Sequence, residues 1–461
     1  MDTGFLSRLF YYSLALSAWK QVTGPDRSVR ARWSLRVNPS SGNLHPTEAY
    51  LVCGPVAGLS ERPAVYHYAP FEHGLELLRE LEAGPPPETA LLGLTSIHWR
   101  ESWKYGERAF RYCQHDLGHA IAAVAIAAAG LGWSARLDDC VTTRQLSALL
   151  GLDRQHGIEA EHPGCLLVLS AGSRPPSVSS LLAGLRGSAW RGNPNRLSRE
   201  HHDWPVIDEI AAGTENPGLA HQFESESQVR PGLRAAALPA WQIIRQRRSA
   251  IALDGTTWIG RETFFRILRR IVPSAAPVPL ETLPWKPCVS LVLFVHRVEG
   301  VPAGLYALVR HPSHEESLRR SLRSDFLWQR AESCPEELGL YLLFPGDTRR
   351  AAKTICCHQE IASDGVFSAA MLAAFDAALE AGGMAMYPRM FWETGVIGQV
   401  LYLEAEAAAI RATGIGCFFD DTCHDLLGIR GHAWQSLYHF TMGGPLEDPR
   451  LQTLDAYHHL Q

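Results

Sequence analysis

The thirteen residues Asn38–Tyr50, NPSSGNLHPTEAY, are the most unusual stretch of this chain. Pro39 and Pro46 fence a tight loop. Ser40, Ser41 and Asn43 supply short donors and acceptors, and Gly42 lets backbone come close to a neighbour. The strand that follows, TEAYLVC, would anchor the loop. Such a loop can present amides and hydroxyls to the edge of a planar heteroaromatic ring or to a phosphate. The same composition also describes a plain Asn/Ser turn ahead of a strand. A second cluster, Arg245-Gln246-Arg247-Arg248-Ser249, closes the amphipathic stretch AWQIIRQRRS. Three guanidiniums and a hydroxyl suit a phosphate, which accepts charge-assisted bonds; arginines in a last helical turn also complement the helix dipole. His115 and His119 lie four apart on one helical face. No third ligand of suitable spacing accompanies them, so they read as a packed pair and not as a metal site.

These segments need elements to hold them. Helices are expected near 5–20, 113–130, 240–248, 261–271, 363–382 and 394–412, and strands near 47–53, 63–68, 164–171, 288–297, 339–344 and 436–442. The mixture lacks strict βαβ alternation and predicts an α+β architecture, with helices on a largely antiparallel or mixed sheet. The two halves repeat each other faintly. VYHYAPFEHGLELLREL from Val65 and LYALVRHPSHEESLRRSL from Leu305, offset by 240, each read as strand, Pro/His turn and leucine-bearing helix. Next come a long helix, ARLDD and LSALLGL in the first half, matched by a long helix, CFFDD and HDLLGI in the second. Both halves then give a strand ending in a turn. Three matches in one order predict a duplicated fold, with two domains fused as an intrachain pair. The expected boundaries are 1–174 and 239–461, separated by a Pro/Gly/Ser/Arg-rich linker or strap over 175–238, in which only WPVIDEIAAG (204–213) reads as helix.

A length of 461 residues is consistent with more than one domain. Lys plus Arg number 43 and Asp plus Glu 48, a net charge of −5, which removes the electrostatic case for a dedicated nucleic-acid binder. Ten cysteines form no CxxC pair and no zinc spacing; adjacent Cys356 and Cys357 read as two half-buried thiols. The N-terminus is not patterned as a signal peptide, and the longest apolar run, Ala120–Trp133, is too short to span a bilayer. A reducing cytoplasm is the expected compartment. Asp420-Asp421 reads as a helix N-cap, and His458-His459 as a frayed end. No GxGxxG follows a strand and no GxxxxGK[ST] occurs, so neither a Rossmann nor a P-loop site has support.

PSSGNLHPTEAYLV, followed by YHYAP, WKYGERAFRYCQHDLGH and AAAGLGW, resembles the nitroreductase superfamily. Within it, the pattern is most similar to the SagB-type dehydrogenases, flavin enzymes that oxidise azolines to azoles in modified peptides. RRS at 247–249, TGIGCFFDD at 413–421 and GGPLEDPR at 443–450 resemble the same superfamily in the second half. The resemblance covers 1–174 and 239–461. It implies two three-layer α+β domains forming an intrachain pseudo-dimer, with FMN bound where such domains meet.

Carried over residue by residue, the resemblance assigns cofactor binding to Pro39, Ser40, Ser41, Asn43 and His45 in the first half, with His45 standing where many relatives have glutamine. In the second half it assigns Arg247, Arg248, Ser249, Gly414, Gly416 and Arg450, with Arg245 alongside. The first half lacks RRS near its start, and the second reads LETLPW where the serine loop is expected. These complementary losses imply one complete flavin site per chain and a monomer. Lys104 and Tyr105 match the family's acid/base pair, because a hydride leaving for a flavin requires a proton to leave the neighbouring atom. A solvated lysine beside a core tyrosine is the competing reading of those two residues. The expected function is an FMN-dependent oxidoreductase acting on azoline-type rings. The alternatives are an NAD(P)H-dependent reductase of nitro, quinone or enone compounds, and a non-catalytic flavin-binding partner in a peptide-modifying complex.

Overall fold

The computed structural model describes residues 1–24, 26–172, 178, 182, 186–219, 237–273 and 278–460. It divides into two compact units: Met1–Glu224 with Glu281–Trp285 and Arg450–Gln461, and Ser225–Leu280 with Lys286–Pro449. LETLPW therefore groups largely with the first unit, as does the C-terminal tail. The stretches 175–177, 179–181, 183–185 and 220–236 of the expected linker lie outside the described residues.

In the first unit, α1 (Thr3–Tyr11) leads to a hairpin of β1 (Leu16–Thr23) and β2 (Val29–Arg36). The main sheet holds β3 (Thr47–Cys53), β4 (Ala64–Ala69), β5 (Gly74–Glu80), β6 (Thr89–Ser96), β7 (Ser134–Leu137) and β8 (His162–Ser170). Its order is β5-β4-β3-β6-β8-β7 and every pairing is antiparallel. Helices α2 (Trp99–Tyr105), α3 (Ala109–Gly130) and α4 (Thr143–Leu150) fall between β6 and β8, and α5 (Pro205–Gly213) follows them. Alternation along the strands sets the layers: Tyr50, Val52, Leu91, Leu166 and Val168 face the α4 leucines Leu146, Leu149 and Leu150. The long α3 packs against β3, β6, β7 and β8 and is buried almost all round, as its alanine-rich sequence allows.

The second unit opens with α6 (Ala240–Gln246) and α7 (Arg261–Arg270). Then come β9 (Val289–Val295), β10 (Gly304–Val309), α8 (His314–Ser321), β11 (Gln329–Arg330) and β12 (Gly339–Pro345). They are followed by α9 (Arg349–Ile355), α10 (Ile361–Asp364), β13 (Phe367–Ala373), α11 (Phe375–Gly382), α12 (Met386–Ala407), β14 (Arg411–Ile415), α13 (Asp420–Leu427) and β15 (Gln435–Gly443). The sheet order β11-β12-β10-β9-β13-β15-β14 repeats that of the first unit, with β11 added at one edge. Val292, Phe294, Ala370 and Leu372 meet Leu318, Ile355 and Leu427 on one face, and α12 packs along β9, β14 and β15. The architecture is α+β, in two units of one topology.

Five expectations need correction. The helix expected over 5–20 stops at Tyr11, and the chain from Leu16 is strand, because it pairs with the C-terminal strand Leu451–Leu454. The helix expected over 363–382 is interrupted by the central strand β13. The leucine-bearing segment after Gly74 is β5 and not a helix, although its counterpart α8 is helical. His458 and His459 are not frayed: both rings sit edge-on to Trp19, and His459 bonds the Phe71 carbonyl at 2.9 Å. Asp420 and Asp421 occupy the first turn of α13, ahead of which Phe419, not an aspartate, is the N-cap.

Candidate functional site

The first unit positions its loop between β2 and β3. Three of four consecutive residues are left-handed, Gly42 (φ 57°), Asn43 (φ 60°) and His45 (φ 52°), so the loop is held in a conformation that its local bonds must support. Those bonds are visible. The Ser40 hydroxyl accepts the His45 amide at 2.8 Å, and Asn43 donates to the Ser34 carbonyl at 2.9 Å while its oxygen meets the His45 ring at 2.9 Å. The Ser41 amide and hydroxyl both donate to Asp116 on α3, at 3.0 and 3.1 Å. The side chains of Ser41 and Asn43 thus shape the loop.

At the loop's tip, glycine is required. A Cβ on Gly42 would lie 2.4 Å from the Tyr105 hydroxyl and 3.0 Å from the Lys104 ammonium. The two segments singled out in the first half of the sequence therefore meet here. Lys104 is exposed at the end of α2, with its Nζ 5.0 Å from the Tyr105 ring centre, and Tyr105 stands edge-on to Tyr112 at 4.7 Å. Part of the expected strap docks on the same helix and on the loop before β8: Trp99 donates to the Ser198 hydroxyl at 2.8 Å, and Glu159 of that loop accepts the amides of Leu197 and Ser198.

Beneath the loop lies an acidic pair that the sequence reading missed. Glu101 on α2 and Asp116 on α3 are both almost wholly buried. Burial holds both above the ordinary carboxyl range; the Asp116 charge raises Glu101 further, while Ser40 and Ser41 draw Asp116 back. The available signal was a carboxylate beside Gln114, His115 and His119 in a helix otherwise rich in alanine. To one side, Glu48 pairs with Arg100 and His67. Burial opposes its ionisation, but Arg100 and His67 outweigh it and hold Glu48 at about 2, while the bonds to Glu48 and Glu76 lift His67 to about 9 against its own burial. Arg100 also donates to the His45 carbonyl at 2.8 Å, fixing the loop's far end.

In the second unit, Arg247 leaves α6 with extended backbone, and Ser249 pairs with Ala412 of β14. Arg247 is buried, its guanidinium 4.9 Å above the Tyr402 ring. The Tyr402 hydroxyl accepts the Gly414 amide at 3.0 Å and bonds Ser249 at 3.1 Å, so one α12 tyrosine ties together the arginine–serine segment and the glycine turn. Gly414 admits no side chain, because a Cβ would sit 1.9 Å from the Tyr438 hydroxyl. Arg248 donates to the carbonyls of Arg245 and Arg247 at 2.9 and 2.6 Å, capping the helix end. Burial lowers both guanidiniums; Arg247, Arg245 and Arg411 push Arg248 down further, to about 10. Gly416 follows β14, and Arg450 is exposed and groups with the first unit just before the C-terminal strand. Pro39 is buried ahead of the loop. Among the described residues, no cluster of three metal-ligating side chains occurs, and no helix is long and apolar enough to cross a membrane.

No model of a known protein family matches this chain, and no curated protein does. Solved structures do. A proposed nitroreductase from Anabaena variabilis is similar over 96% of this chain and 88% of its own, with a TM-score of 0.70 at 20% identity. The fold is therefore nitroreductase-like along nearly the whole length. Lesser similarities are to the NADPH:FMN oxidoreductase of Vibrio harveyi complexed with NAD+ (46% of this chain, 70% of that one, 12% identity, TM-score 0.26) and to the E. coli microcin synthetase McbBCD complex with truncated pro-MccB17 bound (38% and 65%, 18% identity, TM-score 0.29).

Proposed function

We propose that this protein is an FMN-dependent oxidoreductase, and that its substrate is an azoline-type ring in a modified peptide. The observation that carries the reading is the convergence of a left-handed serine–glycine loop on an exposed Lys–Tyr pair. The residues fit the cofactor on chemical grounds. Arg247, Arg248 and Ser249 would hold the phosphate: Arg247 and Arg411 depress Arg248, a repulsion that a bound dianion would relieve. The Gly414 and Gly416 turn of the second unit and the Ser40–Asn43 loop of the first each offer backbone suited to a ring system, the loop because Asn43 and Ser41 fix it and Gly42 leaves its tip bare. Arg450 and Arg245 would add charge.

When bound, FMN supplies two-electron hydride acceptance and donation. The chain's own task is to handle the proton. Lys104 is solvent-accessible and within reach of the loop tip, so it can take the proton lost from the ring carbon next to the one that gives up hydride, or return one, and the Tyr105 hydroxyl can orient or share it. The capped end of α6 and the Tyr402 bonds fix the phosphate end before any ligand arrives.

Rapid mixing of the flavin-loaded protein without oxygen tests the reading. A thiazoline-bearing peptide should bleach the yellow absorbance, with oxygen restoring it, and NADPH should do so slowly. Fast bleaching by NADPH, with no response to the thiazoline, would replace this reading with that of a reductase. A flavin inert to both would leave a binding partner.

A further inference from the structure

Glu101 lies three residues before Lys104 on α2, is fully buried, and among the loop hydroxyls has only that of Ser40 to favour its ionised form. An ionised carboxylate so placed is strongly disfavoured, so the group keeps its proton unless a neighbour takes it. That neighbour is Asp116, which is better suited to ionise because the Ser41 amide and hydroxyl both donate to it. Ser40 acts on both carboxyls, and its hydroxyl and Ser41 form the floor of the loop whose tip touches Lys104 and Tyr105.

We propose that Glu101 and Asp116 hold one proton between them and exchange it with the Lys104–Tyr105 pair through the hydroxyls of Ser40 and Ser41. The pair is then the proton store of the site proposed above, and the inference rests on that reading. No electrons move in the exchange. A Lys104 ammonium gives a proton to a serine oxygen as that serine gives its own to the Asp116 carboxylate, so the serine ends as it began and one N–H bond is replaced by one O–H bond. In the reverse direction the carboxyl returns the proton. Two interacting carboxyls titrate as a unit, so the store belongs to the pair. The groups acting on it are Lys104 from α2, the Cys113 thiol from α3, which both carboxylates push up, and the two loop serines. A diacid whose role was packing alone would satisfy the burial without facing a loop that ends on a lysine.

The sign of the pH effect follows from linkage. Both groups are held above their unfolded values, so their contribution to stability is full below the ordinary carboxyl range and is lost as pH rises through the folded values. In the full-length, FMN-loaded protein, the melting temperature should fall from pH 5 to pH 9 more steeply in the wild type than in Glu101→Gln, which cannot ionise. Equal slopes would overturn the store. Asp116→Asn should keep its flavin and shift the pH–rate profile by about one unit or more, as loss of a coupled group requires. An unshifted profile would overturn the exchange. Should either variant fail to fold, Ser41→Ala leaves both carboxyls in place. It should lower turnover about tenfold, as removal of one proton path implies, with the melting slope retained; full turnover would overturn the relay. A chain inactive on every substrate would overturn the functional reading and the exchange with it, while the melting slopes would still decide whether the proton is held.

Discussion

Arg247 and Arg248 are neighbours in sequence with different tasks. Arg248 closes α6 on two backbone carbonyls, whereas Arg247 is buried over Tyr402 beside Ser249. Arg247→Ala should therefore weaken FMN binding by about 1.5–3 kcal/mol, roughly 10–150-fold, if a charged phosphate contact is lost. Fluorescence titration with riboflavin, which has no phosphate, should show far less change. Equal losses for both ligands would make Arg247 a structural residue. Lys104→Ala is expected to keep the yellow colour and FMN affinity and to lose most turnover, since Lys104 is exposed, is not part of the arginine cluster and is proposed to carry the proton. A colourless purified variant would count against that role. The unusual residue types of the loop, the arginines and the Lys–Tyr pair were visible in the sequence. Glu101 and Asp116 were not, because what singles them out is burial, and burial is a property of α2 and α3 packing beneath the loop. Likewise, no spacing rule places Tyr402 between Ser249 and Gly414.

The elements were readable where local pattern and final environment agree. TEAYLVC and CLLVLS became β3 and β8 as their apolar, β-branched content suggests, and the alanine-rich run became α3. They were misread where a distant partner decides. Leu16–Thr23 is strand because Leu451–Leu454 lies beside it, a pairing reinforced by Trp19 donating to the Ala456 carbonyl at 2.9 Å. SAAMLA in β13 reads as helix, since a central strand buried on both faces shows no alternation. Packing also brings cysteines together: Cys357 and Cys417, sixty residues apart, have sulfurs 2.7 Å from each other, and Gln359 donates to the Cys417 carbonyl at 3.2 Å. Treatment with a mild disulfide oxidant should link them by transfer of two electrons and two protons to the oxidant, removing two thiols from a count of ten. Closing a loop of that length should stabilise the protein by up to about 4 kcal/mol, read as a raised denaturation midpoint. Peptide mapping that finds a different pair, or unchanged thiol content, would contradict this.

At the scale of the molecule, the repeated strand order shows that both units have the same scaffold, so the difference between them lies in what each scaffold carries. The PSSGN loop stands ahead of β3 in the first unit, whereas LETLPW, ahead of the equivalent β9, offers neither its serines nor its asparagine. The arginine–serine segment stands ahead of β9 in the second unit and has no counterpart at the start of the first. On the proposed reading, one chain thus contains one complement of flavin-binding groups and not two. A phosphate site without its guanidiniums would have to desolvate a doubly charged group with nothing opposite to offset the cost. One FMN per chain is the expected stoichiometry, with flavin retained by a single chain. Absorbance of the FMN released on denaturation, set against protein concentration, gives the ratio, and light scattering gives the mass of the flavin-loaded species. A ratio near two would show that LETLPW and the arginine-free start suffice for binding. Flavin found only in a species of twice the chain mass would show that each chain completes its complement from another copy.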